Sequence, residues 1–378
     1  MLACETLLPR CKPRGLPPHH PAHAYACTTV PRRATHSPLQ ADITSPDPHP
    51  NPVHMGAKHA RGGLLLRHRR STLGTLNCQS ACRPGDIDLI AQDIEREGLC
   101  LCALQETREL GHGSRHIITR TSKVWTYVWS GDSARHARGV GFLLSPDAAK
   151  SLLGQPSFIS DRIITLTLDG TVWTTLISVY APTEGHPEAD KDNFYSSLHA
   201  TLRAVPASHC VLVLGDLNAK VGAETATWPG VLGPHSTLPA SWRQTSANTT
   251  PAHGPLPPPR REDLRPNGNG HRLLSLCQDR SLVITNSLFP HRPAHKATWF
   301  NPAGSRAILD YVLISQRCRK WVHNTQVRPA AITHPTDHRL VVTTTRLHLR
   351  RRPPCRTLPT SALMTPGMEK EKGVTSGG

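Results

Sequence analysis

The chain has 378 residues, 37% of them hydrophobic and 35 of them proline, with a formal charge of +17. No run approaches the ~18 apolar residues of a membrane span, and the first residues lack the basic-then-apolar pattern of a secretory leader. The sequence therefore reads as an intracellular protein with no membrane partner. Residues 1–70 carry ten Lys/Arg against three Asp/Glu, 71–349 carry 28 against 22, and 350–378 carry six against two. More than half of the excess positive charge thus lies in the flanks. A polyanion such as nucleic acid is a natural partner for it.

Residues 1–70 are rich in Pro, His and Arg without a sustained period, and are predicted to be a disordered basic arm. Their histidines, among them His19, His20 and His23, read as composition rather than as a metal site. The 11 cysteines are odd in number and irregular in spacing, which predicts free thiols; Cys78 and Cys82 lack a second pair at zinc spacing.

Order is predicted from Thr72. The run TLGTLN reads as a strand, and DIDLIAQDIERE as a helix with Ile87, Ile90 and Ile94 on one face. Strands follow at 99–104, 139–144, 162–168 and 173–182, a helix at 188–204, and a buried strand at 210–218. The Pro-rich segment 234–263 reads as a surface loop or insertion. A helix near 270–280 comes next, then strands at SLVITN, ATWF, 307–315 and the final DHRLVVTTTRLHL. After Leu349 a basic, Pro-rich tail, 350–378, is predicted to be disordered. Interleaved strands and helices without repeats predict a sheet-rich α/β (α+β) class over 71–349.

Polar groups recur where these apolar strands end. LCLCALQE delivers Glu106, CVLVLGDLN delivers Asp216 and Asn218, ISVYAP delivers Tyr180, and TLN delivers Asn77. Asp310 is expected within a strand, and Asp337 and His338 at the mouth of the last one. An ionised carboxylate is costly inside a core. Carboxylates at strand ends can instead converge on one rim, where a divalent cation would neutralise them. Each residue also has a plainer reading: Glu106 as a loop charge, Asp216 as a turn former. Asp310 among aliphatics needs a partner, and His338 is the natural one.

The ordered series TLN (75–77), LQE (104–106), VYAP (179–182), GDLN (215–218), ATW (297–299), LDYVLIS (309–315) and TDH (336–338) resembles the endonuclease/exonuclease/phosphatase superfamily. Further blocks, including GVGFLLSPDAAKSLLG and HKATWFNP, resemble its LINE-type retrotransposon endonuclease branch. Such elements carry a reverse transcriptase after the nuclease, and none is expected before Gly378. The resemblance implies a DNase I-like sandwich of two packed mixed β-sheets flanked by helices. It implies a Mg²⁺-dependent DNA endonuclease, with Mn²⁺ as a substitute, acting as a monomer in the nucleus or also the cytoplasm. By motif, Glu106 and Asp337 would ligate Mg²⁺ with support from Asn77. Asp216 and Asn218 would handle the attacking water, Asp310 would orient His338, His338 would contact the phosphate or move a proton, and Tyr180 would stabilise the transition state. The general base stays open between Asp216 and His338. Asn267 or Asn269 would match a phosphate-contacting Asn. Gln79 stands where many abasic-site endonucleases have an acid, and the retrotransposon branch lacks that acid too. The competing readings are a nuclear or chromatin protein that keeps the fold without activity, and a phosphatase of the same superfamily.

Overall fold

Strand β1 (Ser71–Asn77) sits third in a seven-stranded sheet, and the strands around it explain where the polar rim forms. The computed structural model describes residues 70–239, 242 and 264–349. Residues 1–69 of the predicted 1–70 arm, all but Trp242 of residues 240–263 in the predicted 234–263 insertion, and the predicted tail 350–378 lie outside the described residues.

After β1, helix α1 (Asp86–Arg96) leads to β2 (Leu101–Gln105), β3 (His112–Ile118), β4 (Val124–Ser130) and β5 (Val140–Leu144). A short helix, α2 (Pro146–Ala149), precedes β6 (Ser157–Ser160), β7 (Ile163–Leu168) and β8 (Thr174–Tyr180). Helix α3 (Glu188–Ala204), β9 (Cys210–Asp216), α4 (Gly268–Asp279) and β10 (Leu282–Ile284) follow. The last strands are β11 (Trp299–Phe300), β12 (Arg306–Ala307), β13 (Asp310–Ser315), β14 (Val322–Arg328) and β15 (Leu340–Thr345). One sheet has the order β14-β15-β1-β2-β5-β4-β3 and the other β10-β13-β9-β8-β7-β6. Each mixes parallel pairs, β1 with β2 and β8 with β9, with antiparallel ones. The mixed two-sheet sandwich expected from the sequence is present.

Side chains alternate along each strand, so residue parity decides which face each one occupies. Leu73, Leu101, Ala103, Leu176, Leu212, Leu214, Val312 and Ile314 share the cluster between the sheets. The opposite parity packs outward. Ile177, Val213 and Leu313 meet Phe194, Leu198 and Leu273 from α3 and α4. Leu76, Cys102 and Leu104 meet Ile87, Ile90 and Ile94 of α1. Both faces of the central strands are thus buried, which is why they read as unbroken apolar runs. Gly215 permits the close approach of β8: a Cβ there would lie 2.0 Å from the Val179 carbonyl oxygen.

Several boundaries differ from the expectation. Strands β3, β6 and β14 lie at sheet edges, and residues 112–118 and 157–160 are mostly exposed, so no apolar period marks them. Asp310 opens β13 rather than lying inside it, because Arg306 and Ala307 pair separately with β11. Residues 234–239 are not a wholly exposed loop: Leu238 is buried, and Ser236 donates to the Gly222 carbonyl at 2.7 Å. Among the described residues the cysteines are free thiols, and no helix is long and apolar enough to cross a membrane.

Candidate active site

Extending the inward parity of each strand to its end gathers the polar residues. Asn77 follows Leu73, Tyr180 follows Leu176, Asp216 follows Leu214, and Asp310 precedes Val312, all on the face between the sheets. Asp216 lies directly opposite Asp310 in the β9–β13 pairing and beside Tyr180 in the β8–β9 pairing. The rim therefore follows from sheet register rather than from loop placement.

Like charges facing each other across two strands are destabilising, and Asp216 and Asp310 are both buried. His338 supplies the compensation. Its Nδ1 lies 2.9 Å from Asp310 Oδ2, and its Nε2 lies 3.9 Å from Asp216 Oδ2 and 3.7 Å from Asp337 Oδ1. Desolvation pulls the imidazole pKa down, but Asp310, Asp216 and Asp337 outweigh it and raise it to about 10. The ring is thus an imidazolium that donates Nδ1–H to Asp310. Asp216 is pushed up to about 7, first by desolvation and then by Asp310, with His338 opposing. Its Oδ1 accepts the Asn218 N–H at 2.9 Å and its Oδ2 accepts Asn77 Nδ2 at 3.0 Å. Asp310 Oδ1 is buried without a hydrogen-bond partner.

Glu106 just beyond β2 is partly exposed. Its Oε1 accepts Asn77 Nδ2 at 2.9 Å and the Tyr180 hydroxyl at 2.9 Å, and its Oε2 accepts Arg108 at 3.0 Å. Burial favours the neutral acid, yet these three donors hold the carboxyl below its ordinary range. Tyr180 is pushed well up by burial and by Glu106, so it stays a hydroxyl donor. Asp337 is also partly exposed. Gln79 Nε2 donates to its Oδ1 at 2.7 Å, and Trp299 Nε1 to its Oδ2 at 2.9 Å. The loop before it is tied down from both sides. Thr336 donates to the Asn77 carbonyl at 2.8 Å, and buried Asp93 of α1 accepts the Thr333 N–H at 2.7 Å. Thr298 accepts the backbone N–H of Leu309 and Asp310 and so fixes the start of β13.

The rim thus brings together all eight residues singled out in the sequence: Asn77, Glu106, Tyr180, Asp216, Asn218, Asp310, Asp337 and His338. Asn218 contributes its backbone N–H, while its side-chain amide donates to the Ala181 carbonyl. Asn267 caps α4, accepting the Gly270 N–H. Asn269 is fully buried and donates to the carbonyls of Pro182 and Asn218, with its Oδ1 unpartnered. Sequence reasoning missed Arg108, which has no mark beyond its place two residues after Glu106. It treated Gln79 as a departure, whereas Gln79 grips Asp337. Gln79, Glu106, Arg108 and Asn218 all have positive φ, between 45 and 55°. Such backbone costs a non-glycine residue roughly 1–2 kcal/mol, and its concentration just past three converging strands marks a constrained site.

Residues 74–338 match the model of the Endonuclease/Exonuclease/phosphatase family. The chain belongs to this family. It is 28% identical over 281 residues to craniofacial development protein 2 of Bos taurus, covering 74% of this chain and 41% of that protein, so it spans about two fifths of that relative's length. Among solved structures it is similar to the endonuclease domain of TRAS1, a telomere-specific non-LTR retrotransposon (10% identity, TM-score 0.46, 74% of this chain and 99% of that one). It is also similar to a 3′ phosphatase from Neisseria bound to a product DNA hairpin (15% identity, TM-score 0.47, 73% and 99%). Family membership makes a hydrolase acting on phosphate esters the frame for this rim.

Proposed function

We propose that the rim hydrolyses phosphodiesters in DNA and nicks one strand, with Mg²⁺ as the working cation and Mn²⁺ as a substitute. The observation that carries this reading is the Asp310–His338–Asp216 series set against two partly exposed carboxylates. The retrotransposon-like sequence blocks favour internal nicking over phosphate-ester trimming.

Four carboxylates share the rim with one imidazolium and one guanidinium, a negative excess that suits a divalent cation. Glu106 and Asp337 would hold it, since they are the accessible hard-oxygen donors and Mg²⁺ needs only one or two carboxylates. Asp216, Asp310 and His338 also offer donor atoms within 4.8 Å of one another. That group is already closed by the His338–Asp310 hydrogen bond, and carboxylate oxygen suits Mg²⁺ better than imidazole. When bound, the cation offsets charge that develops on the phosphoryl oxygens.

Asp216 takes a proton from the attacking water. Its carboxylate is pinned by the Asn218 N–H, and a base titrating near the working pH is the most effective kind. His338, held as an imidazolium by Asp310, donates to the scissile phosphate. Asn77 and Tyr180 fix Glu106, and Gln79 and Trp299 fix Asp337. That a single chain supplies every group named here supports a monomer as the working unit. The basic flanks would retain DNA without sequence preference, in the nucleus where that substrate lies. Conversion of supercoiled plasmid to open circle in Mg²⁺, compared with Asp216→Ala and His338→Ala, tests the proposal. Equal nicking by the variants would overturn it.

A further inference from the structure

At the far ends of the same strands a groove lined by cations opens. β1 begins at Ser71, which pairs with Thr345 at the end of β15, and Val322 at the start of β14 pairs with Thr345 as well. The Ser71 hydroxyl donates to the Leu347 carbonyl, and Leu349 bridges to Gly170. With seven residues in β1 at ~3.3 Å each, this pole lies roughly 20 Å from Asn77 and the rim.

Two adjoining hollows open here, of about 460 and 370 Å³, sharing Arg346 and His348. Arg70, Lys320, Trp321 and His323 complete their basic and aromatic lining, and among the described residues no carboxylate lines either one. Arg346 Nε donates to His323 Nε2 at 2.8 Å. Desolvation, Arg346 and Arg70 all push the His323 pKa down. Arg70, Lys320 and Arg346 meet no carboxylate in the described lining of the hollows, and an anion bound there would offset their mutual repulsion. Trp173, two residues beyond the lining residue Thr171, is 50% exposed.

A groove in two lobes is longer than one phosphate requires. Cations along a track, together with an exposed indole, are the elements that bind a single strand: phosphates on the track, a base stacked on the aromatic ring. We propose that this pole is a second nucleic-acid site, which takes a single-stranded segment separate from the DNA cut at the rim. Only the choice of ligand class rests on the rim's reading as a DNA nuclease.

The test is fluorescence anisotropy of a labelled single-stranded 20-mer on the full chain without divalent metal, over a salt series. R70Q/K320Q/R346Q should lower the slope of log affinity against log salt by about 2, at ~0.7 per lost phosphate contact. W173A should weaken binding about 10-fold through lost stacking. R70K/K320R/R346K should keep the wild-type slope, and R120Q/K123Q/R203Q, which removes exposed cations from the β3–β4 turn and the end of α3, should leave both quantities in place. Nicking of plasmid by the pole variants should match the wild type. The proposal is overturned by an unchanged slope in the glutamine triple, by equal loss in the elsewhere triple, or by loss in the charge-keeping triple. It is also overturned if the glutamine triple reduces binding to phosphatidylserine vesicles but not to the oligonucleotide. Failure of the nicking reading would leave these binding results standing, so the two can fail separately.

Discussion

The two ends of strand β1 solve opposite electrostatic problems. At Asn77 four carboxylates crowd together, and three kinds of compensation hold them: an imidazolium between Asp216, Asp310 and Asp337, a guanidinium on Glu106, and neutral donors from Asn77, Tyr180, Gln79 and Trp299. At Arg70 cations line an open groove with no carboxylate in its described lining. Every rim charge has a built partner in the chain, whereas Lys320 and Arg346 at the pole are exposed to solvent. A rim that compensates its own charge can fix proton positions, which chemistry needs. A groove lined by cations is suited to holding an anionic ligand.

The contrast can be broken by substitution, beginning at the rim. Asp216→Ala or His338→Ala should lower nicking by about 10³-fold or more, since a positioned base or acid is worth typically ~10²–10⁴-fold; gel quantification of open circle against time measures this. Asp310→Asn should lower nicking by about 10²-fold, because the imidazolium loses its closest anion. It should also change how stability depends on pH. In the wild type His338 is protonated in both folded and unfolded chains below pH 6.5, but only in the folded chain from there to about 10. Stability due to this group is therefore complete below 6.5 and lost as pH rises through 10. Thermal unfolding of metal-free protein should show this loss for the wild type and a flatter profile for Asp310→Asn. Gln79→Ala frees one oxygen of Asp337, and should raise the Mg²⁺ concentration for half-maximal nicking about 10-fold, in the range for lost outer-sphere partners. The smallest effect on nicking is expected at the pole, where R70Q/K320Q/R346Q should leave the rate at saturating plasmid unchanged.

Much of this was legible in the sequence because the central strands are buried on both faces. VLVL in β9 and YVLI in β13 have no other place to go, and a two-residue period carried to Asp216 and Asp310 already sets both on the inner face. Strand ends were legible for the same reason, since apolar runs stop where water begins. Edge strands were not: HGSRHII and SFIS each give one side to solvent, and their pairing rests on backbone bonds that any residue can make. The site's fastenings were hidden for a different reason. Gln79 and Trp299 reach Asp337 across 258 and 38 residues of sequence, and only the closed sandwich brings them near. Arg108 depends on a left-handed backbone turn that nothing in LQETR announces. The Pro-rich stretch misled in the other direction, because Leu238 packs into the core despite its neighbours.

The most direct test of the rim is Asp216→Asn, which keeps shape and hydrogen bonding to Asn218 while removing the base. In saturating Mg²⁺, wild-type protein should convert supercoiled plasmid to open circle and stop on addition of chelator. Asp216→Asn, folded with an unaltered melting profile, should leave the plasmid supercoiled. Nicking by Asp216→Asn at the wild-type rate would contradict the assignment of this rim as the catalytic site.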